Sequence, residues 1–584
     1  MRRMLHYILK YKLLLVIGTL CMLIVIGIDQ ISPLLQMALV DKVIGEGEVG
    51  LFPTLILTMC ILTIFKSTLG FCKEFIYDHM GTKVHRDLKY EVFQHMETFE
   101  FTYYDDMNTG ELMSRINEDL ENIWQTINFG LRLFIENIFY FLFSTIIIFI
   151  LDWRLATLSL LMMVPIYFIT MNVEKHFGRI YGELSDQKAV INTTAQEDIA
   201  GIRLVKAFAR EPFEISRFLK LNQKYCDTNM ELAHVTARHF PAIDFCTNVA
   251  SITMIIGGGV LILNDSLSMG TLVAFSNYIY NLIWPMRQLG WLSNMLSRNK
   301  ASAQKIFDIL DREPKIQSPT EPYIPESIKG DIEFKHVSFK YKDEVVLKDI
   351  NLHIPAGSKV AIMGTTGSGK SSLISLIGRY YDIYEGELLI DGVDVRAYDL
   401  STLRQQMSMV FQDTFLFSNT IADNIRFSHP NASPGEIEGV CQTACIAPFI
   451  EQLEKQYDTE IGERGLGLSG GQKQRLSIAR GLLRKAPIFV LDDATSALDM
   501  ETEHDLITAL NHLDFPCTRL MIGHRISAVK DADLIVYLEN GEIKEQGTHE
   551  SLLKKQGQYY QIFLEQYKDF YTLQKGGISL EKTS

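Results

Sequence analysis

The chain is poor in cysteine: eight residues in 584, at positions 21, 60, 72, 226, 246, 441, 445 and 517. None stands in the C-x-x-C spacing of a zinc site, and the density is far below that of a disulfide scaffold. They are therefore expected to be small buried hydrophobes. Cys441 and Cys445, four apart, fit one helix face. A basic excess is also missing. Lys plus Arg number 56 against 70 Asp plus Glu, a net charge of −14, which speaks against a dedicated nucleic-acid binder. Nor does the N-terminal region offer a signal-peptide cleavage site. Its apolar stretch runs from Leu13 to about Val40, too long for a signal core, and is expected to remain as a spanning helix. A hydrophobic fraction of 47% excludes disorder, and the length predicts several domains at roughly 100 to 200 residues each.

The acidity is uneven. Residues 1–310 carry 27 Lys/Arg and 30 Asp/Glu, leaving 29 and 40 for the rest, so the net charge divides into −3 and −11. The first part holds six stretches apolar enough to cross a bilayer core of about 30 Å, at approximately 13–38, 53–76, 133–151, 154–173, 242–263 and 271–292. Their connections alternate between short (152–153, 264–270) and long, polar and helical in pattern (77–130, 174–240). The second, fourth and fifth spans are thus expected to continue beyond the membrane. Arg2, Arg3, Lys10 and Lys12 place the N-terminus on the cytoplasmic side, and Lys83, Arg86, Lys89, Arg203, Lys206 and Arg210 place the long connections there too. Four of the sixteen prolines, Pro314, Pro319, Pro322 and Pro325, mark 311–329 as a linker. After it, apolar β-branched runs such as Lys359–Met363 and Ile488–Leu491 alternate with helical patterns, the sign of an α/β domain with a largely parallel sheet.

Gly364-Thr-Thr-Gly-Ser-Gly-Lys370-Ser371 follows one of those strands and opens a helical run, meeting the G-x-x-x-x-G-K-[ST] pattern in its required context. Backbone N–H groups of such a loop converge on phosphates, and the helix N-terminus adds partial positive charge. Lys370 is expected to reach the β- and γ-phosphates and the Ser371 hydroxyl to ligate Mg²⁺. The strand Ile488–Leu491 ends in Asp492, where the second half of a Mg²⁺ site belongs. Between the two lies Leu468-Ser469-Gly470-Gly471-Gln472.

With that segment, the sequence resembles an ABC transporter over nearly its whole length, specifically an exporter-type half-transporter. The resemblance implies a multi-domain fold: an all-α six-helix transmembrane domain (1–310) with long cytoplasmic extensions, the linker (311–329), and an α/β nucleotide-binding domain (330–584). It implies ATP and Mg²⁺ as cofactors, bound by Tyr341 stacking on adenine and by Gly364, Thr365, Thr366, Gly367, Ser368, Gly369, Lys370, Ser371 and Ser372, with the metal at Ser371, Gln412 and Asp492. Gln412 matches the Q-loop glutamine, His524 the switch histidine, Ser496–Asp499 the D-loop and Thr459–Gly465 the X-loop. Tyr104–Arg115 and Gly201–Phe208 look like coupling segments. Ser469, Gly470, Gly471 and Gln472 would close over nucleotide held by a second half-transporter, so a dimer in a lipid bilayer is implied, moving a small molecule rather than nucleic acid.

One position departs from the family pattern. The residue after Asp492 is normally the glutamate that serves hydrolysis, and here it is Asp493. A carboxylate retracted by one methylene is displaced by more than about 1 Å, and misplacement on that scale costs roughly 10²-fold in rate. The chain therefore resembles the degenerate-site subunit of a heterodimeric multidrug exporter, with Asp493, His524 and Gln412 as its catalytic set. Lipid or peptide export, a homodimeric exporter, and an ATP-gated regulator or channel remain as alternatives.

Charges within the spans are functional candidates. Asp29 and Lys66 lie at similar depth and can pair, either lining a translocation cavity or locking two helices. Arg132 and Glu136, spaced i, i+4, are expected to pair locally. Asp244 is expected to face water, and Gly257–Gly259 to permit close helix packing.

Overall fold

A computed structural model describes residues 2–107 and 109–575. The chain falls into two compact units, one formed by 1–98 and 107–313, the other by 99–106 and 314–584.

The first unit is helical. Its long helices are Lys12–Ala38, Phe52–Met96, Leu131–Leu151, Trp153–Ala200, Glu211–Leu263 and Met269–Leu310. Helices 52–96, 153–200 and 211–263 have 45, 48 and 53 residues. At 1.5 Å per residue they are about 68, 72 and 80 Å long, more than twice a hydrocarbon core. Asp152 alone separates two spans, its carboxylate accepting from the backbone N–H groups of Arg154 (2.9 Å) and Leu155 (3.0 Å) as an N-cap. The N-terminal segment is tied down by Arg3 to Asp311, Tyr7 to Glu91 (2.8 Å) and both Lys10 and Tyr11 to Asp87 (2.7 Å each). Donation from Lys10, with Arg86 and Tyr11 beside it, holds the Asp87 carboxyl well below the usual range.

Among the described residues, five helices are long and apolar enough to cross a membrane: Lys12–Gly45, Val49–Met96, Thr109–Leu151, Trp153–Ala200 and Glu211–Leu263. The sixth expected span, 271–292, lies in helix 269–310 and is not among them. Asn277, Asn281, Arg287 and Gln288 dilute its hydropathy, and the bundle satisfies part of this polarity. Asn277 donates to Gln36 (2.9 Å), Tyr278 donates to the Gln30 carbonyl (2.5 Å), and Phe275, Tyr278, Ile279 and Leu282 are buried.

The expected local pair of Arg132 and Glu136 does not form. Arg132 binds Glu74 and Glu136 binds Lys73 (2.9 Å), both on helix 52–96, because residues 132, 136 and 140 share one face with their acceptors and donors opposite. Asp29 pairs with Lys66. Asp244 pairs with Arg287 at 3.1 Å rather than simply facing water. A Cβ at Gly257 or Gly258 would stand 2.8 Å from Leu158 or 2.4 Å from Leu272, so close packing uses these two, whereas Gly259 has open space. Cys441 and Cys517 are buried, but Cys60 and Cys226 are exposed, since each lies on a helix face that this chain leaves uncovered.

In the second unit a six-stranded sheet has the order β10-β9-β3-β8-β7-β6, with β3 (Lys359–Gly364), β6 (Met407–Val410), β7 (Ile488–Asp492), β8 (Thr518–Ile522), β9 (Leu534–Glu539) and β10 (Glu542–Gly547). Only the β9–β10 pair is antiparallel. A four-stranded antiparallel sheet, β2-β1-β4-β5, lies over the same core, built from β1 (Ile332–Tyr341), β2 (Glu344–Ile354), β4 (Glu385–Ile390) and β5 (Val393–Asp394). The linker is laid along this unit: Tyr323 exchanges backbone hydrogen bonds with Ala397 (2.8 Å) and Asp399 (3.1 Å).

A segment from within the expected 1–310 domain also belongs here. Helix Phe101–Asp106 packs with the second unit because Phe101 stacks on Tyr380 (4.7 Å, 17°), Tyr381 donates to Asp105 (2.6 Å) and Lys342 pairs with Asp106 (2.6 Å). Removing the stacked ring in Phe101→Ala is expected to cost about 1 kcal/mol beyond its buried area. Calorimetry of the full chain should show the transition of the second unit lowered by about 2–4 °C, with Phe101→Tyr close to the parent.

Candidate functional site

The site residues come together because parallel strands end on one line. Ile362 of β3 is the Cα partner of Ile522 in β8, and Ile522 is the partner of Asp492 in β7. Gly364, Asp493 and His524 therefore leave the sheet within two residues of that line. Val410 of β6 pairs with Leu491, which brings Gln412 out beside them. Open α/β sheets place ligand sites at such carboxyl edges.

The loop after β3 is shaped by backbone contact. Gly364 has φ 149°, and a Cβ there would stand 2.0 Å from the Leu538 carbonyl of β9. Gly369 opens helix Lys370–Ile377 at φ 99°, where a Cβ would meet Leu347 at 2.7 Å. Only glycine fits either position without moving neighbours. Thr365, Thr366 and Gly367 form the exposed crown, while Ser368, Gly369 and Lys370 are buried beneath it. The Lys370 ammonium donates to the carbonyls of Gly364 (3.1 Å) and Thr365 (2.8 Å). Burial pulls its pKa below the ordinary lysine value, against the pull of Asp492 and Asp493. The Ser371 hydroxyl donates to Asp492 at 3.0 Å. Burial, with the nearby Asp493 charge, raises the Asp492 carboxyl, although the Ser371 bond and Lys370 oppose it.

This geometry fits a triphosphate and its metal. Lys370 is a cation whose present acceptors are neutral carbonyls, Ser371 and Asp492 are a ready hydroxyl–carboxylate pair, and the buried Ser368 hydroxyl has no hydrogen-bond partner among the described residues. Mg²⁺, when held by Ser371 and Asp492, neutralises phosphate charge that the chain's own donors would otherwise face alone. Tyr341 stands at the edge of the cradle, its hydroxyl accepting from Ser372 at 3.3 Å and its ring edge-on to Phe339 and Tyr381. Tyr341 itself is 36% exposed.

Asp493 sits at φ 45°, in the left-handed region that Asp tolerates better than longer side chains. Its carbonyl accepts from the Ser496 hydroxyl (2.9 Å), which starts the turn into the D-loop. Gln412 and His524 are both exposed, and neither side chain hydrogen-bonds to Asp492 or Asp493 among the described residues. Among the described residues, Ser469–Gln472 likewise forms no hydrogen bond with the phosphate loop of its own chain. It forms a reciprocal N-terminal cap instead: the Ser469 hydroxyl accepts from the Gln472 N–H (3.3 Å) and the Gln472 side chain accepts from the Ser469 N–H (2.8 Å). Helix Gly470–Leu483 thus presents a capped but exposed N-terminus, and its positive end is suited to an anion supplied from outside.

Three supporting residues escape a motif search. Gln474, 6% exposed, donates to the Ser496 hydroxyl (3.1 Å) and accepts from Ala497 N–H (3.0 Å), joining the signature helix to the D-loop. Glu503 accepts from Thr495 (2.7 Å) and Arg525 (2.9 Å), linking the D-loop to the histidine loop. Gln566, near the end of the described chain, donates to the His524 carbonyl (2.6 Å) and accepts from Ile526 N–H (2.8 Å). Nothing in their local sequence marks them, since each acts across 8 to 42 residues.

Residues 15–286 match the family described as ABC transporter transmembrane region, and residues 347–496 match the family described as ABC transporter. The chain is 33% identical over 573 residues to "Uncharacterized ABC transporter ATP-binding protein YknU" of Bacillus subtilis, covering 97% of each. It is 35% identical over 568 residues to an ATP-dependent lipid A-core flippase of Desulfotalea psychrophila, covering 96% of this chain and 98% of that one. Similarity to "Putative multidrug export ATP-binding/permease protein YgaD" of Bacillus subtilis is 34% over 574 residues, covering 96% and 98%. A solved structure of a bacterial Atm1-family ABC exporter with ATP bound superposes with a TM-score of 0.82 at 26% identity, covering 98% of this chain and 99% of that one.

A carboxyl raised above the usual aspartate value takes up its proton at higher pH, and a protonated Asp492 loses its metal. Mg²⁺ should therefore strengthen binding of a non-hydrolysable ATP analogue progressively less as pH is lowered. The loss should begin above the pH at which a free aspartate, with pKa about 3.9, would protonate. Analogue titration with and without Mg²⁺ checks this, and Asp492→Asn should flatten the dependence.

Proposed function

This chain belongs to the ABC transporters, as an exporter that couples ATP hydrolysis to transport, and on that premise we propose that it is the weakly hydrolysing half of a heterodimer. The observation that carries the proposal is Asp493. It stands where the exporter pattern resembled by this chain places a glutamate, with its backbone in the left-handed region that suits the shorter acid. Tyr341, the loop Gly364–Ser372, Gln412 and Asp492 hold MgATP here. Asp493 and His524 are the hydrolytic groups of this site, and the shorter acid slows it. Ser469–Gln472 completes a competent site on the partner, which carries the glutamate.

The need for a second chain has independent support. The coupling segment around Phe101–Asp106 is covered by this chain's own second unit, and its Tyr103 is only 5% exposed. The other segment, helix Ile202–Ala207, has no buried residue, and Ile202, Leu204 and Phe208 lie 47%, 65% and 70% exposed. A second half-transporter would cover that apolar surface and bring its bound nucleotide to the exposed N-terminus of the signature helix. The basic N-terminal residues support a cytoplasmic N-terminus and ATPase unit in a bacterial cell membrane. An amphipathic, drug-like substrate is the favoured cargo, in keeping with the multidrug name of one relative. The flippase name of another keeps lipid export as the alternative.

Purified alone, the chain should bind ATP yet turn it over slowly, and Asp493→Glu in the two-chain complex should raise ATPase activity by about 10- to 100-fold at this site. Single-turnover measurement of each site checks it, and full ATPase activity from a homodimer of the unmodified chain would overturn the proposal. Leu204→Asp with Phe208→Asp should abolish ATP-dependent uptake into inverted vesicles while leaving nucleotide binding within about twofold, because neither residue belongs to the unit that carries the cradle.

A further inference from the structure

The first unit contains a cavity of 580 Å³ whose lining joins four helices. Asp29 and Gln36 come from helix 12–38, Lys66 from helix 52–96, Tyr140 from helix 131–151, and Asn277 and Trp284 from helix 269–310. Its charges are placed asymmetrically. Asp29 has two partners, the Lys66 ammonium and the Tyr140 hydroxyl, which donates to it at 2.6 Å. Among the described residues Lys66 pairs with Asp29 alone, and its side chain is 41% exposed against 21% for Asp29. Glu136 also lines the cavity but is already matched by Lys73 at 2.9 Å, and Glu74 is matched by Arg132.

A ligand entering this cavity can take one member of the Asp29–Lys66 pair. If it brings a cation to Asp29, the other carboxylate lining the cavity, Glu136, is already held by Lys73, and Lys66 is left unpaired at a depth where that is costly. If it brings an anion to Lys66, Asp29 keeps the Tyr140 hydroxyl. Lys66 is also the partner able to move, since a flexible four-carbon stem carries its three donors. Beside it stand the Trp284 indole, which can only donate, and the Gln36 amide. Trp284 and Tyr280, 60% and 63% exposed, supply flat apolar surface next to the polar end. We infer that this cavity binds the headgroup of an anionic amphiphile, a phosphate or carboxylate on an apolar body, by exchange of Lys66 from Asp29 to the ligand. The inference rests on the exporter function proposed above and names the class of its substrate.

The full chain in phosphatidylcholine nanodiscs is titrated, below micellar concentration, with decyl phosphate, decyltrimethylammonium and decyl maltoside, following quenching of Trp284, with Trp284→Phe as the blank. Decyl phosphate should bind at least about tenfold more tightly than the other two, the scale of one charge-assisted contact. Lys66→Gln should remove that preference and Lys66→Arg should keep it. Because Lys66→Gln strands Asp29, the paired variant Asp29→Asn with Lys66→Gln is measured as well. It restores a neutral, matched site and should also bind the three probes alike. Equal affinities in the parent, tighter binding of the cation, or an unchanged preference in both Gln variants would overturn the inference. Saturation by inorganic phosphate at the same concentrations would do so too, since it would assign the site to a free anion. Absence of ATP-dependent transport with probe binding intact would count against the exporter function and leave the headgroup assignment standing.

Discussion

The register between β3, β8, β7 and β6 is the constraint on which the nucleotide-handling half depends. Parallel pairing aligns Ile362, Ile522 and Asp492 side by side, so each following loop starts at the same edge. A slip of one residue in β7 would turn Asp492 to the other face of the sheet and separate it from Ser371. The close approach of β3 to β9, which leaves no room for a Cβ at Gly364, locks the same edge from the other side. Around it the connections between loops are polar, with Gln474 and Glu503 buried and Gln566 exposed. Gln474, Glu503 and Gln566 tie the signature helix, the D-loop and the histidine loop to one another, so a shift in one of them carries to the rest.

In the helical unit the corresponding constraint is charge matching. Three bases, Lys66, Lys73 and Arg132, meet three acids, Asp29, Glu136 and Glu74, in three pairs that cross between helices, and Lys73 also approaches Glu74 on its own helix at 3.4 Å. Ionised groups at membrane depth are tolerated when paired, and these pairs also set how the helices face one another. The same economy explains helix 269–310, which is too polar to qualify as a span by hydropathy but donates its Asn277 and Tyr278 hydrogens inward.

Local pattern was enough where the physics is local. The phosphate loop needs glycines, a lysine and a hydroxyl within one turn, and the Ser469–Gln472 cap is closed within three residues, so both are legible as motifs. Lys66 and Asp29 could be paired from depth alone, because each helix rises by a constant step per residue. Arg132 and Glu136 could not. Spacing offered them each other, and the partners they take lie about sixty residues away, on a helix whose rotation only packing decides. The segment Phe101–Asp106 was misplaced for the same reason, its allegiance being settled by Tyr380, Tyr381 and Lys342.

The sequence by itself determined the two kinds of material, the family, the cradle for MgATP and the shortened acid at Asp493. All of these follow from residue type and spacing along a few turns of chain. Only the tertiary structure decided which carboxylate each membrane base meets, that Asp29 keeps a second donor when Lys66 lets go, and that Gln474, Glu503 and Gln566 support the site. Those outcomes depend on helix rotation and strand order, which bring distant residues within 3 Å and which no local spacing encodes.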